Sequence, residues 1–87
     1  MPRRQKRSEV GVRFGATLRS IRRSRRLSQE SLAELAGITA DYVGFVERGE
    51  NVPTVVTVLR LARALGVGAA ALLADVDASA LSDDTSS

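Results

Sequence analysis

The 87-residue chain contains neither cysteine nor histidine, which excludes disulfides and thiolate metal sites and removes the usual general base and the commonest zinc ligand. Its length gives one small domain with a marginal core, a size at which oligomerisation commonly adds stability. The net charge of +3 conceals a polarity, because every basic residue except Arg48, Arg60 and Arg63 lies before Leu27, while the end carries Asp75, Asp77, Asp83 and Asp84 without a base.

Residues 1–9, with Arg3, Arg4, Lys6 and Arg7, have little to bury and are expected to form a disordered basic arm. No apolar run follows them, as a secretory signal would require. From roughly Val10 to Arg25, Phe14, Leu18 and Ile21 recur at helical spacing with arginines opposite, which predicts a first helix. Residues 28–48 predict two short amphipathic helices joined by a tight turn. Ser28 and Thr39 are the expected N-caps, and Gly37 stands where the chain must reverse. Leu32, Leu35 and Ala36 should line the inner face of the second helix, and Ala33 lets another helix pass close. Val43 and Val46 should point inward from the third, which stops at Arg48-Gly49.

Glu50 to Pro53 forms a loop in this reading, and Thr54 caps a fourth helix with Val55, Val58, Leu61, Ala62 and Leu65 as its inner stripe. Gly66 closes it. A short apolar turn of helix, Ala69 to Ala74, contains Leu72 and Leu73 and ends the domain, so the folded unit is placed at 10–74. Residues 75–87 are expected to be an acidic, disordered tail whose deletion leaves the fold intact. The longest apolar stretch, Ala64 to Ala74, is too short to span a bilayer, and the expectation is a cytoplasmic protein with no membrane segment. Nothing predicts a strand, a cofactor site or a metal site, and the scattered serines and acids supply no nucleophile–base pair for an enzyme.

The run Phe14-Gly15, Leu18-Arg19, Arg22, Leu27 to Glu30, Leu32-Ala33, Ala36 to Ile38, Tyr42-Val43, Val46 to Gly49, Pro53-Thr54 and Leu61 to Val67 resembles the Cro/C1-type (XRE) helix-turn-helix regulators of bacteria and phages. The resemblance covers roughly residues 12–74. It implies an all-α, five-helix lambda-repressor-like domain, usually dimeric on double-stranded DNA, that represses or activates transcription. It also implies that Arg22 bonds Glu47, locking the third helix to the first.

A helix presented in this way fits the major groove. The outward stripe of residues 39–48 is Asp41, Gly44, Phe45 and Arg48, with Thr39 and Ala40 at its tip, positions that match the family's base-reading side. Their chemistry departs from the usual pattern, because no Gln, Asn or Arg stands at the leading positions to make bidentate contacts. Asp41 can accept from a cytosine amino group, Ala40 and Phe45 can touch thymine methyls, and Arg48 can reach phosphate or guanine. Gly44 fits close approach to DNA or close helix packing, and Phe45 fits a base contact or a half-buried core position. Tyr42 can bond a phosphate or simply pack. Gln29, at the start of the second helix, matches the family's phosphate-binding position, and Arg25 and Arg26 precede the same helix.

The functional expectation is therefore a sequence-specific, double-stranded DNA-binding transcription regulator acting as a homodimer. Leu72 and Leu73, with the outer side of the fourth and fifth helices, form the candidate dimer patch or else close the core of the monomer. The alternative is a protein-binding adaptor or antitoxin-like partner with weak base readout, supported by the apolar surface at Gly44 and Phe45.

Overall fold

Four helices in this computed structural model, which describes residues 8–81, begin at a hydroxyl that the sequence places just ahead of them. Ser8 Oγ accepts from Gly11 N (2.9 Å), Ser28 Oγ from Ser31 N (2.9 Å), Thr39 Oγ1 from Tyr42 N (3.1 Å) and Thr54 Oγ1 from Thr57 N (3.2 Å). Each bond satisfies a backbone donor that the helix itself leaves unpaired. The helices are α1 (Glu9–Ser24), α2 (Gln29–Ala36), α3 (Ala40–Glu47), α4 (Val55–Leu65) and α5 (Ala69–Leu72), followed by a 3-10 turn at Ala78–Leu81. No strand occurs among the described residues.

The reversal between α2 and α3 turns on Gly37, whose φ of 74° lies in the left-handed region that glycine enters without a Cβ penalty. Its position lets Ile38 N reach back to Ala33 O at 2.9 Å, the hydrogen bond of a left-handed helix cap. A comparable reversal before α2 is made by Arg26, a non-glycine residue held at φ 60°.

The core is a single cluster built by Phe14 and Leu18 from α1, Leu32, Ala33 and Ala36 from α2, Val43 and Val46 from α3, Val58, Leu61, Ala62 and Leu65 from α4, and Leu72 from α5. Burying a side chain such as Leu18, Leu32 or Leu61 contributes about 1.5–3 kcal/mol. Gly15 allows α1 to lie directly on the end of α3, because a Cβ there would stand 2.2 Å from Val46 O and 2.7 Å from Glu47 O.

Several expectations are corrected. Leu35 and Val55 point to solvent (57% and 75% exposed), because α2 is covered by α3 and α4, and α4 by α2 and α5, along only part of each apolar stripe. The inner face of α2 is Leu32, Ala33 and Ala36. Leu72 is fully buried and so is a core residue, not a dimer contact, whereas Leu73 remains 43% exposed. The folded unit also extends beyond 10–74. Ser8 and Glu9 are the cap and first residue of α1, and α5 ends at Leu72, not Ala74. Residues 75–81 fold back onto α1, with Ala80 fully buried and Val76 packed against the core. Deleting 75–87 would therefore strip apolar contacts from α1. The basic residues at 3–7 and the acids at 83–84 lie outside the described residues.

Candidate nucleic-acid interface

The resemblance implied a bond between Arg22 and Glu47, and the structure makes it the hub of the region. Arg22 Nε donates to Glu47 Oε2 (2.6 Å), Arg22 Nη2 to Glu47 Oε1 (3.0 Å), and Arg22 Nη1 to Leu27 O (2.8 Å). Gln29 Nε2 donates to the same Glu47 Oε1 at 3.0 Å. The Arg22–Glu47 pair thus ties together α1, the last residue of α3, the turn before α2 through the guanidinium and the first residue of α2 through the carboxylate. The two side chains are 11% and 3% exposed, so the pair is shielded from water. Hydrogen bonding to Glu47 holds the Arg22 guanidinium more firmly protonated than usual, outweighing the opposing effect of burial. Bidentate geometry of this kind fixes orientation as well as charge. No buried side-chain polar atom among the described residues lacks a hydrogen-bond partner.

With its end fixed in this way, α3 turns Asp41, Phe45 and Arg48 outward, all exposed, while Val43 and Val46 are fully buried. Thr39 is exposed at the tip and engaged as the N-cap, and Ala40 and Tyr42 are half-buried against the core. Burial pushes the Tyr42 phenol above its usual pKa. Arg25 and Arg26 are exposed just before α2. α2 and α3 each begin with an acidic residue in the first turn, Glu30 and Asp41, where the helix dipole favours negative charge.

Gly44 departs from the expected exposed stripe. It is buried, and the cover is the chain's own Arg48: a Cβ at Gly44 would lie 3.0 Å from Arg48 Nη1 and 3.8 Å from its Cζ, with Gln29 Nε2 also 3.8 Å away. The Arg48 guanidinium carbon stands 5.2 Å from the centroid of the Phe45 ring, and its Nε is 3.3 Å from Glu50 Oε2. Periodicity could not reveal Glu50, because it lies beyond α3 and meets Arg48 only after Gly49 turns the chain. The Gln29–Glu47 bond was also invisible, since its partners are 18 positions apart. The i, i+4 spacing of Gly44 and Arg48 was the one available signal.

A second exposed surface lies on α4 and the loop before it. Val52, Val55, Val56 and Leu59 are between 53% and 75% exposed, and Arg60 and Arg63 border them. No helix among the described residues is long and apolar enough to cross a membrane.

Residues 13–76 match the family model described as "Helix-turn-helix domain". The chain is 36% identical over 63 residues to an HTH-type transcriptional regulator, y4dJ, of Sinorhizobium fredii, covering 72% of this chain and 82% of the relative. The crystal structure of the restriction-modification controller protein C.AhdI from Aeromonas hydrophila superposes with a TM-score of 0.70 at 45% identity, over 71% of this chain and 94% of that one. The P22 c2 repressor, solved in complex with a synthetic operator, superposes with a TM-score of 0.64 at 25% identity, over 68% and 89% of the two chains.

Proposed function

This chain belongs to the helix-turn-helix domain family, and we propose that it is a sequence-specific, double-stranded DNA-binding transcription regulator that acts as a homodimer. The observation that carries the reading is the α2–α3 unit held by Glu47, which fixes Gln29 and the outer face of α3 relative to each other. A rigid pair of this kind suits simultaneous contact with a phosphate, at the start of α2, and with base edges along α3. In this reading Thr39, Ala40, Asp41, Phe45 and Arg48 face the major groove, and Gln29, Tyr42, Arg25 and Arg26 contact the backbone. The similarity to C.AhdI and to the operator-bound P22 c2 repressor supports the same assignment.

The adaptor alternative loses its main support, because the bare apolar surface at Gly44 is covered by a guanidinium. Leu72 drops out of the dimer patch, which keeps Leu73 and the exposed side of α4, where Val55, Val56 and Leu59 form an apolar strip that a second copy would cover. Two such copies read half-sites about one helical turn, or 34 Å, apart.

The test is fluorescence anisotropy with duplex from the gene's own upstream region and a scrambled duplex, each at several salt concentrations. The reading expects tight binding to the first with two protomers per site and a steep salt dependence. Equal, weak binding to both duplexes overturns it. Leu59→Glu is expected to leave the helical content unchanged and to lower the stoichiometry to one protomer.

A further inference from the structure

Resting on the DNA-binding reading above, we propose that Arg48, laid back across the bare backbone of Gly44, reads a guanine in the major groove, with Gly44, Phe45 and Glu50 as its positioning residues. The outer face of α3 has no other group with this capacity. Its leading positions are Ala40 and Asp41, which cannot present a fork of donors to a purine. The structure fills the gap from the other end of the helix. Arg48 Nη1 lies 3.0 Å from where a Cβ on Gly44 would be, so the guanidinium occupies the space that a side chain at position 44 would otherwise take. A side chain attached at the end of α3 thereby delivers its charge one turn back, to the middle of the outward stripe.

Two further contacts hold it there. The Phe45 ring lies 5.2 Å from Cζ, at a distance suited to a cation–π contact, and Glu50 Oε2 engages Nε at 3.3 Å. Engagement of Nε leaves the two terminal nitrogens as the fork that matches O6 and N7 of guanine. The side chain is still 51% exposed, so it is held and open at once. An arginine already oriented surrenders less rotamer freedom on binding than a free one. Gly44, a residue that weakens a helix interior, fits this arrangement because a Cβ there would press on the guanidinium at 3.0 Å and displace it from the backbone.

The experiment is selection of duplexes from a randomised library by the full chain, followed by titration of the enriched duplex and its single-base-pair variants against wild type, Arg48→Ala, Arg48→Lys and Gly44→Ala. Circular dichroism melts confirm that each variant is folded. Wild type is expected to enrich a G·C pair in each half-site and to disfavour its replacement by roughly tenfold or more. Arg48→Ala removes that discrimination while leaving preferences at other positions. Arg48→Lys keeps the charge but does not restore the discrimination, and Gly44→Ala reduces it with Arg48 still present. Uniform loss of affinity across all sequences in Arg48→Ala would make Arg48 a phosphate contact and overturn the proposal. So would full discrimination in Gly44→Ala. An enriched site whose G·C preference survives Arg48→Ala overturns this inference alone, whereas a wild type that enriches no sequence overturns the DNA-binding reading as well.

Discussion

Arg22 and Arg13 stand on the same helix, and each reaches a carboxylate on a distant segment, but the two clasps have different surroundings. Arg22 meets Glu47 with both side chains almost sealed from water. Arg13 bonds Glu9 on its own helix at 3.0 Å and meets Asp77 at 3.6 Å, where Asp77 is 72% exposed; it also reaches Ser79 Oγ at 3.4 Å and Asp75 O at 3.5 Å. In the first case water cannot replace a lost partner, so the remaining charge is stranded. In the second, solvent takes over the missing bonds and screens the charges. The same pair of chemical groups therefore fixes the α3 interface at one end of α1 and only trims the C-terminal strap at the other.

The contrast is broken most severely at Glu47. Glu47→Ala leaves the nearly enclosed Arg22 guanidinium without its carboxylate, with Leu27 O as its remaining partner, and is expected to destabilise the fold by about 3 kcal/mol. It also frees Gln29, so its melting temperature should fall well below that of Glu50→Ala, whose partner Arg48 is half-exposed. Equal shifts by thermal denaturation would remove the distinction between the two carboxylates. Gly15→Ala attacks the same junction without touching a charge. Its Cβ would meet backbone oxygens that no rotamer change can move, so α3 must shift, at about 3 kcal/mol by denaturant titration.

A third arginine sharpens the comparison. Arg26 sits at φ 60°, where a Cβ is unfavourable by about 1–2 kcal/mol. Arg26→Gly is expected to raise stability by about 1 kcal/mol and, if the exposed side chain contacts a phosphate, to flatten the salt dependence of DNA affinity by about one ion. A gain in stability with unchanged salt dependence would leave Arg26 without a role at the interface. The smallest effect belongs to the exposed clasp. Hydrogen bonds from the Ser79 hydroxyl and N–H, together with Arg13, hold the Asp77 carboxyl below its ordinary value of 3.8. A depressed folded-state pKa contributes stability that is complete above that ordinary value and is lost as pH falls through the folded one. Asp77→Asn should therefore cause a small fall in melting temperature at neutral pH, which disappears in strong acid.

The helices were legible because their causes are local. Ser28, Thr39, Thr54, Gly37 and Gly66 act on the backbone within a few positions, and the starts of α2, α3 and α4 and the ends of α2 and α4 followed from them. The Arg22–Glu47 bond was supplied by the family resemblance and confirmed by the geometry. Periodicity failed where a short helix meets its neighbours along only part of one face, which is why Leu35 and Val55 emerged into solvent and Leu72 did not. The strap failed for a different reason. Its composition is that of a solvated tail, but Val76 packs on the core and Ala80 is fully buried, and the partner that holds the segment, Arg13, lies more than 60 positions away. The covering of Gly44 was hidden because an outward-facing position on a helical wheel says nothing about a long side chain folding back over it.

Arg13 gathers the first turn of α1 and the final 3-10 turn into one place, so the described fold begins and ends side by side. In engineering terms the domain is a near-closed ring. A short flexible linker joining residue 81 to residue 8, with new ends opened at the exposed Gly68, just after Val67 has packed on the core, would keep α1, α2 and α3 in uninterrupted order. It would also carry any fused cargo out between α4 and α5 rather than from either end of α2 or α3.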